Sequence, residues 1–179
     1  EWLAAERASI EGRTEYVGGE VFAMSGGTEA HNLIAANVIG ELRSRFKGAP
    51  CYVYTSDMKV RVAAGDLGAY PDAMAVCGER VFVDDRRDVL TNPTLIVEVL
   101  SDSTEAYDRG DKFAAYRTIP SLQAYLLLSQ NRLRAELFVR HGDDWLLSTY
   151  EQSTDIIPLG ALDAELPLAE VYDKVDLAP

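Results

Sequence analysis

The sequence is short of the residues on which several kinds of site depend. Its 179 residues include two cysteines, Cys51 and Cys77, and two histidines. Two isolated cysteines are too few for a disulfide framework or a zinc site, and Cys77, which follows an apolar run, is expected to be a buried strand thiol. The chain also shows no secretory signal pattern. A reducing cytoplasm is therefore the expected location.

Other motifs are missing as well. No apolar stretch approaches the length of a membrane span, and no glycine-rich nucleotide-binding loop is present. No segment has the local context of a Ser–His–Asp or Cys–His nucleophile. The length suits one domain over residues 1–179. With 47% hydrophobic residues, such a domain can bury a sizeable core.

Positive charge is scarce, because 17 Lys and Arg face 29 Asp and Glu and the net charge is −12. Phosphate contacts need Lys and Arg, so this balance argues against a general nucleic-acid binder. The excess is uneven, however: residues 142–179 carry −8, whereas residues 28–62 carry +2. A modest basic surface beside an acidic site is compatible with this pattern, although each charge alone is better explained as a solvated side chain.

The spacing of apolar residues predicts a mixed domain of helices and strands. Helices are predicted at 1–10, 28–46 and 104–117, hairpins at 13–24 and 133–150, and strands at 51–54, 58–62, 72–76, 95–100 and 124–128. This order predicts an α/β (α+β) fold with a central mixed β-sheet flanked by helices and with N-terminal and C-terminal hairpins. It does not fit a doubly wound dinucleotide-binding fold.

Two acidic residues and a lysine are spaced as a metal-dependent phosphodiesterase requires. Asp72 follows Pro71 at a predicted strand end, Glu98 lies within a run of Leu, Ile and Val, and Lys112 is in the next helix. A glutamate in such a strand needs a cation, a donor or a proton, because an isolated buried charge is too costly. Asp72 and Glu98 would bind Mg²⁺ or Mn²⁺ with the Val99 carbonyl as a third ligand, while Lys112 would orient water or hold a phosphate oxygen.

Each of these residues also has a plainer explanation. Glu98 is equally well explained as a strand-end residue paired with an arginine, and Lys112 as half of a surface ion pair with Asp108 that adds little stability. Glu20, on the second arm of the first hairpin, either adds a carboxylate to the cluster or is exposed. His31, near the start of the long helix, is expected to pack or to cap the helix rather than to bind metal.

Several segments of the chain resemble the Uma-type family, which is classed with the restriction endonucleases. These segments are 19–26 (GEVFAMSG), 29–32 (EAHN), 70–72 (YPD), 93–104 (PTLIVEVLSDST), 107–117 (YDRGDKFAAYR) and 119–122 (IPSL). The resemblance extends over nearly the whole chain. The Glu-Val-Leu-Ser block followed by Asp-Arg-Gly-x-Lys is quite specific.

That family belongs to the PD-(D/E)XK nuclease superfamily. The resemblance implies a restriction-endonuclease-like fold, Mg²⁺-dependent phosphodiester hydrolysis and a homodimer. It puts Asp72 and Glu98 at the two acidic positions of the superfamily motif. Leu100 stands where the usual lysine would be, so the lysine would come from the following helix as Lys112. Glu20 would match a glutamate that lies near the metal in related nucleases.

Two hypotheses follow. In the first, the protein is a cytoplasmic, metal-dependent endonuclease that acts on DNA, with Asp72 and Glu98 binding Mg²⁺ or Mn²⁺, Lys112 assisting the nucleophile and Glu20 supporting the site. In the second, the same fold is a dimeric, non-enzymatic binding or accessory module, which the net charge and the displaced lysine favour. The sequence shows no domain for reading bases and leaves open DNA or RNA, single or double strand.

Overall fold

The structure, a computed structural model, describes residues 1–10 and 12–177. Its helices and strands follow one another in this order: α1 (Trp2–Ala8), β1 (Thr14–Val17), β2 (Glu20–Ala23), α2 (Glu29–Arg45), β3 (Cys51–Thr55), β4 (Lys59–Val62), β5 (Leu67–Ala69), β6 (Ala73–Cys77), β7 (Val89–Leu90), β8 (Leu95–Leu100), α3 (Glu105–Tyr107), a π-helical turn (Asp108–Lys112), α4 (Phe113–Tyr116), β9 (Ala124–Ser129), β10 (Ala135–His141), β11 (Asp144–Tyr150), β12 (Ile156–Leu159), a 3₁₀ turn (Gly160–Leu162), β13 (Ala164–Pro167) and α5 (Leu168–Val171). Within these residues no helix has the length and apolar character needed to cross a membrane.

A six-stranded mixed sheet in the order β11-β10-β9-β8-β6-β3 forms the centre of the molecule. Its neighbouring strands are antiparallel except β8 and β9, which run parallel. A parallel pair needs a crossover connection, and the helical segment from α3 to α4 provides it. The predicted α+β class, with a mixed central sheet, flanking helices and hairpins near both ends, is confirmed.

Strand β8 separates two hydrophobic cores, because successive side chains of a strand point to opposite faces of the sheet. Its odd-numbered residues pack in the core that contains α2, and its even-numbered residues Ile96 and Leu100 pack in the core that contains α4. Glu98 has the same parity as Ile96 and Leu100. The strand therefore carries this carboxylate to the face covered by the crossover helices.

Helix α2 begins after Thr28, whose side-chain oxygen accepts a hydrogen bond from the backbone N–H of His31. Such an N-cap contributes about 1 kcal/mol to helix stability. The apolar stripe of Ile34, Val38 and Leu42 is fully buried against the central sheet. The cap and the stripe agree with the predicted helix, and they place His31 at the edge of the sheet.

The N-terminal hairpin belongs to a second sheet, with the strand order β2-β1-β5-β4-β7, which the sequence pattern did not predict. Strand β1 pairs with β5 through Tyr16 and Gly68. A Cβ at Gly68 would lie 2.3 Å from the ring of Trp2, so only glycine lets α1 pack here. This sheet covers the α4 side of the central sheet and carries Glu15 towards Glu98.

The two cysteines form a disulfide bond, Cys51–Cys77, so the prediction of a buried thiol at Cys77 is wrong. The residues are 26 positions apart in the chain but stand directly opposite each other in the β3–β6 ladder. Sequence spacing does not reveal which distant strands pair or in what register. The sequence therefore could not bring these two side chains together.

The helix predicted at 104–117 contains a π-helical turn, Asp108–Lys112, between α3 and α4. Turns of this kind are rare and often occur at functional sites. Asp108 and Lys112 are both buried in this turn. The plainer explanation of Lys112, a surface ion pair with Asp108, is therefore wrong.

Candidate active site

Several elements meet around a cavity of about 810 Å³. Its wall is formed by β1, the end of β2 with the segment that follows it, the residues just before β6, the end of β8, the start of α2 and the segment from α3 through the π-helical turn. The ionisable side chains in this wall are Glu15, His31, Asp72, Glu98, Asp102, Tyr107, Asp108 and Lys112, together with Tyr70. A cavity of this size and polarity is where a binding or catalytic site is expected.

The ammonium group of Lys112 is the centre of the cavity's deepest part, with an exposed fraction of 5%. Its Nζ lies 3.0 Å from Oε1 of Glu98, 3.2 Å from Oε1 of Glu15 and 3.3 Å from Oδ1 of Asp108. An ammonium has three donor hydrogens, so three carboxylates can each take one. Lys112 is thereby held as a fixed positive charge.

Glu98 is almost completely buried, with 3% of its surface exposed. Its Oε1 accepts a hydrogen bond from the hydroxyl of Tyr116 at 3.0 Å and also faces Lys112. Burial raises the pKa of Glu98 well above its ordinary value; the charge of Lys112 opposes this shift, and the neighbouring carboxylates add to it. A positive charge beside Glu98 therefore stabilises its ionised form.

Lys112 itself stays protonated near neutral pH. Burial lowers its pKa, but the charges of Glu98, Glu15 and Asp108 outweigh burial and raise the pKa well above its ordinary value. A lysine in this state is a point charge and not a proton acceptor. Its chemistry at this site is electrostatic.

Asp72 reaches the same region from the neighbouring strand. Ala73 is paired with Val97 in the β6–β8 ladder, and one residue further along Asp72 comes beside Glu98. Oδ2 of Asp72 accepts a hydrogen bond of 2.7 Å from the backbone N–H of Val99. The register of two antiparallel strands thus brings two carboxylates from distant parts of the sequence to neighbouring positions within the sheet.

His31 contacts Asp72 from the first turn of α2. Its Nε2 lies 3.3 Å from Oδ2 of Asp72, and this hydrogen bond raises the pKa of His31 above its ordinary value. Its Nδ1 is buried and has no hydrogen-bond partner among the residues that the structure describes. A side chain at position 27 would clash with the His31 ring, because its Cβ would lie 2.6 Å from Nδ1. His31 was expected to pack or cap, yet its ring holds Asp72 while only its backbone N–H joins the cap.

The structure brings Asp72, Glu98 and Lys112 into one cavity but does not bring Glu20 there. Glu20 is exposed in β2, opposite Val17, and it is not part of the cavity wall. Glu20 lies beside the turn at 18–19, whereas the β2 residues that line the cavity, Phe22 and Ala23, lie further from that turn.

Glu15, on the other arm of the same hairpin, is the carboxylate that the sequence analysis missed. It is buried, contacts Lys112, and accepts a hydrogen bond of 3.2 Å from the backbone N–H of Tyr70. The available signal was alternation: Glu15 has the opposite parity to Thr14 and Tyr16 in β1, so it points to a different face of the strand.

The donor set fits a hard divalent cation. Asp72, Glu98 and the Val99 carbonyl offer oxygen atoms, which Mg²⁺ and Mn²⁺ prefer, and Mg²⁺ usually binds only one or two protein carboxylates and keeps several waters. Within the described part of the chain, no three His, Cys, Asp or Glu side chains form a complete metal cage. The cluster around Lys112 nevertheless holds three carboxylates against one ammonium. That excess of negative charge gives a cation a favourable place.

The chain matches one known protein family over most of its length. A family model described as "Uma2: Putative restriction endonuclease" matches residues 3–169. Among curated proteins, "Uncharacterized protein slr1290" of Synechocystis sp. is 34% identical over 175 residues, which cover 96% of this chain and 89% of that protein. "Uncharacterized protein sll1609" of the same organism is 36% identical over 149 residues, or 83% of this chain and 84% of that protein.

A solved structure from Anabaena variabilis, titled as "a putative nuclease belonging to DUF820", superposes with a TM-score of 0.76. The match covers 92% of both chains at 12% sequence identity. At this level of identity the likeness concerns the fold alone. It confirms the restriction-endonuclease-like fold that the sequence resemblance implied.

Proposed function

Because the chain belongs to the Uma2 family and has the fold of a nuclease, we propose that it is a metal-dependent endonuclease that hydrolyses phosphodiester bonds in DNA. The observation that carries this proposal is the meeting of Asp72, Glu98 and Lys112 at one cavity. Two carboxylates can hold a divalent cation, and the buried ammonium beside them can offset the charge that develops on a phosphate during hydrolysis.

We assign the binding of Mg²⁺ or Mn²⁺ to Asp72, Glu98 and the Val99 carbonyl. Oε1 of Glu98 already faces Lys112 and Tyr116, so Oε2 is the oxygen that we assign to the cation. A bound divalent cation lowers the pKa of a coordinated water and offsets negative charge on the phosphate. His31 orients Asp72 through its Nε2 contact.

Lys112 has a different task in this proposal. Its three donor hydrogens already face carboxylates, so the ammonium acts on the scissile phosphate as a nearby positive charge that stabilises the charge developing there. Glu15 and Asp108 hold the ammonium in place before the substrate arrives, so little reorganisation is needed during the reaction. The raised pKa of Lys112 excludes a role as general base in this scheme.

The test uses two circular DNAs, a single-stranded phage genome and a supercoiled plasmid, because circles report only internal cuts. Wild-type protein should cut at least one of them with Mg²⁺ or Mn²⁺ and neither with EDTA. Asp72→Asn and Glu98→Gln preserve size and should each lower the rate at least about 100-fold, as loss of a charge-stabilising group does. Clean wild-type protein that cuts neither circle with any divalent cation would contradict the proposal.

A second candidate function is the non-enzymatic binding module. It is favoured by the net charge of −12, by Leu100 at the usual lysine position and by the three carboxylates that already engage Lys112. The discriminating measurement is the Tm with and without Mn²⁺. A ligand at 100 times its Kd stabilises the native state by about 2.7 kcal/mol, so a site should raise the Tm in wild-type protein but not in Glu98→Gln. An unchanged wild-type Tm would favour the module.

We also propose that the protein is a homodimer. Strand β11 is an open edge of the central sheet, and it exposes Leu146 and Leu147. Open apolar edges are normally covered in native proteins, and a second copy would cover this one. Light scattering coupled to size-exclusion chromatography should give twice the chain mass, whereas the mass of one chain would refute the dimer.

The cytoplasm remains the location that we propose. The disulfide bond Cys51–Cys77 makes this testable, because such bonds are rare in cytosolic proteins. Protein alkylated during lysis of its native cells should carry modified thiols if the proposal holds. Fully oxidised cysteines under the same conditions would place the protein in an oxidising compartment.

A further inference from the structure

Phe22 is an aromatic side chain that stands exposed in the wall of the cavity. Phe22 has 51% of its surface exposed. Met24, which directly follows β2, is also exposed and lines the cavity. Residues two apart on a strand point to the same side. Phe22 and Met24 thus present exposed apolar surface in the same wall as the charged side chains.

The hairpin register ties Phe22 to the charged cluster. Phe22 is the direct cross-strand partner of Glu15, and directly opposed residues have Cβ atoms about 4.5–5.5 Å apart. Glu15 is itself 3.2 Å from Nζ of Lys112. The Glu15 side chain therefore links the position of Phe22 to the ammonium of Lys112. A nucleotide with its phosphate at Lys112 has its base within reach of the phenyl ring.

The charges in the wall limit what else the substrate can be. Among the described residues that line the cavity, Lys112 is the sole Lys or Arg, and five carboxylates accompany it. Binding of duplex DNA depends on Lys and Arg at many phosphates, and this wall does not supply them. Single strands are bound with help from aromatic side chains, on which unpaired bases stack.

Resting on the nuclease function proposed above, we propose that the substrate is an unpaired DNA strand and that the base beside the scissile phosphate stacks on Phe22. Met24 extends the apolar surface for that base. In a duplex each base is stacked on its neighbours and paired, and it must leave the helix before its face can stack on a protein side chain. Phe22 is thus a residue that selects unpaired strands.

The binding test compares two adjacent positions. Val21 is 56% exposed, lies next to Phe22 in β2 and is absent from the cavity wall. The tryptophan of Phe22→Trp should be quenched, in a saturable way, by an unlabelled 20-nucleotide single strand, in EDTA or with Ca²⁺ present. Val21→Trp should not respond, and the matching duplex should quench neither variant. Equal quenching in both variants, equal quenching by the duplex, or no quenching at all overturns the proposal.

The cleavage test measures selectivity. Wild-type protein should cut the single strand faster than the duplex of the same sequence. Phe22→Ala should raise KM for the single strand by about 5- to 150-fold, the effect of losing one stacked base, with kcat nearly unchanged. Phe22→Trp should restore KM, and Val21→Ala should leave it unchanged.

The outcomes separate this inference from the proposal on which it rests. A duplex cut as fast as the single strand would overturn the preference for unpaired strands and leave the nuclease function intact. If wild-type protein cuts no DNA with Mg²⁺ or Mn²⁺, the nuclease function fails. The quenching of Phe22→Trp then still decides whether unpaired DNA binds at this ring.

Discussion

Lys112→Met would remove the charge on which the buried cluster depends while nearly preserving the volume of the side chain. In the wild-type protein, Nζ of Lys112 lies 3.0–3.3 Å from oxygens of Glu98, Glu15 and Asp108. In the variant these three carboxylates would face one another with no cation between them. Three like charges that surround one buried position cannot all stay ionised.

The cost follows from the burial of the cluster. Removing one partner of a buried ion pair destabilises a protein by about 3–5 kcal/mol, because the remaining charge stays buried and uncompensated. For a domain of this length, each kcal/mol lowers the Tm by about 2–4 °C. We therefore expect the Tm of Lys112→Met to fall by about 6–20 °C near neutral pH.

The stability lost in Lys112→Met, which is the deficit relative to wild-type protein, should change with pH in one direction. The pKa of Glu98 is already raised in the folded protein, and removal of Lys112 takes away the charge that opposed this shift. A carboxyl whose pKa is raised by folding favours the folded state at acid pH, and it loses that contribution as pH rises through the folded pKa. The deficit of Lys112→Met should therefore be smallest in acid and largest near neutral pH.

Urea unfolding of both proteins at several pH values measures this deficit. Lys47→Met is the matched control, because Lys47 is exposed after α2 and its replacement should change the free energy of unfolding by less than about 0.5 kcal/mol. A loss for Lys112→Met below about 1 kcal/mol, well short of the cost of breaking a buried pair, or a loss that does not vary with pH, would refute the reasoning.

Three further predictions concern other parts of the molecule. Glu15→Gln should lower nuclease activity because it loosens Lys112, whereas Glu20→Gln should leave the activity unchanged in the same circle-cutting assay. Replacing both cysteines by serine should reduce the free energy of unfolding in urea by about 3.5 kcal/mol, the loop-closure contribution for a bridge that spans 26 residues. Arg7 lowers the pKa of Asp88 to about 2, so Arg7→Gln should return it towards 3.8, as NMR of the carboxyl carbon would show.

Each of these has a clear contrary result. Full activity in Glu15→Gln together with a loss in Glu20→Gln would reverse the assignment of the hairpin glutamates. Free thiols in wild-type protein that has been purified and air-oxidised without reductant would contradict the disulfide. Asp88 with its lowered pKa adds stability above the pKa of the unfolded chain, and that stability is lost as pH falls towards 2. A pKa of Asp88 that is unchanged in Arg7→Gln would exclude Arg7 as the main cause.

Local signals made much of the fold predictable. Helix α2 could be predicted because Thr28 is a strong cap and Ile34, Val38 and Leu42 form a stripe, and both features act within a few residues. The wholly apolar surroundings of Glu98 pointed to a strand buried on both faces, which is the position of β8. Short-range chemistry was therefore enough to recognise the elements that carry the candidate site.

Long-range strand pairing was the part that could not be predicted. The placement of Glu15 at Lys112 depends on β1 joining β5 over the central sheet, and the Cys51–Cys77 bond depends on the register of β3 and β6. Both arise from contacts between distant segments, whose partners are decided by packing and not by spacing. Glu20 was chosen over Glu15 for the same reason. The two glutamates occupy opposite arms of one hairpin, and the packing of that hairpin on the central sheet decides which of them contacts Lys112.

The most direct test of the site is to count the Mn²⁺ ions bound per chain. The count comes from a titration in which the EPR signal measures the Mn²⁺ that stays free. We expect saturable Mn²⁺ binding to wild-type protein and to Glu20→Gln, and loss of that binding in both Asp72→Asn and Glu98→Gln. Undiminished Mn²⁺ binding in the two latter variants would contradict the claim that these carboxylates hold the cation.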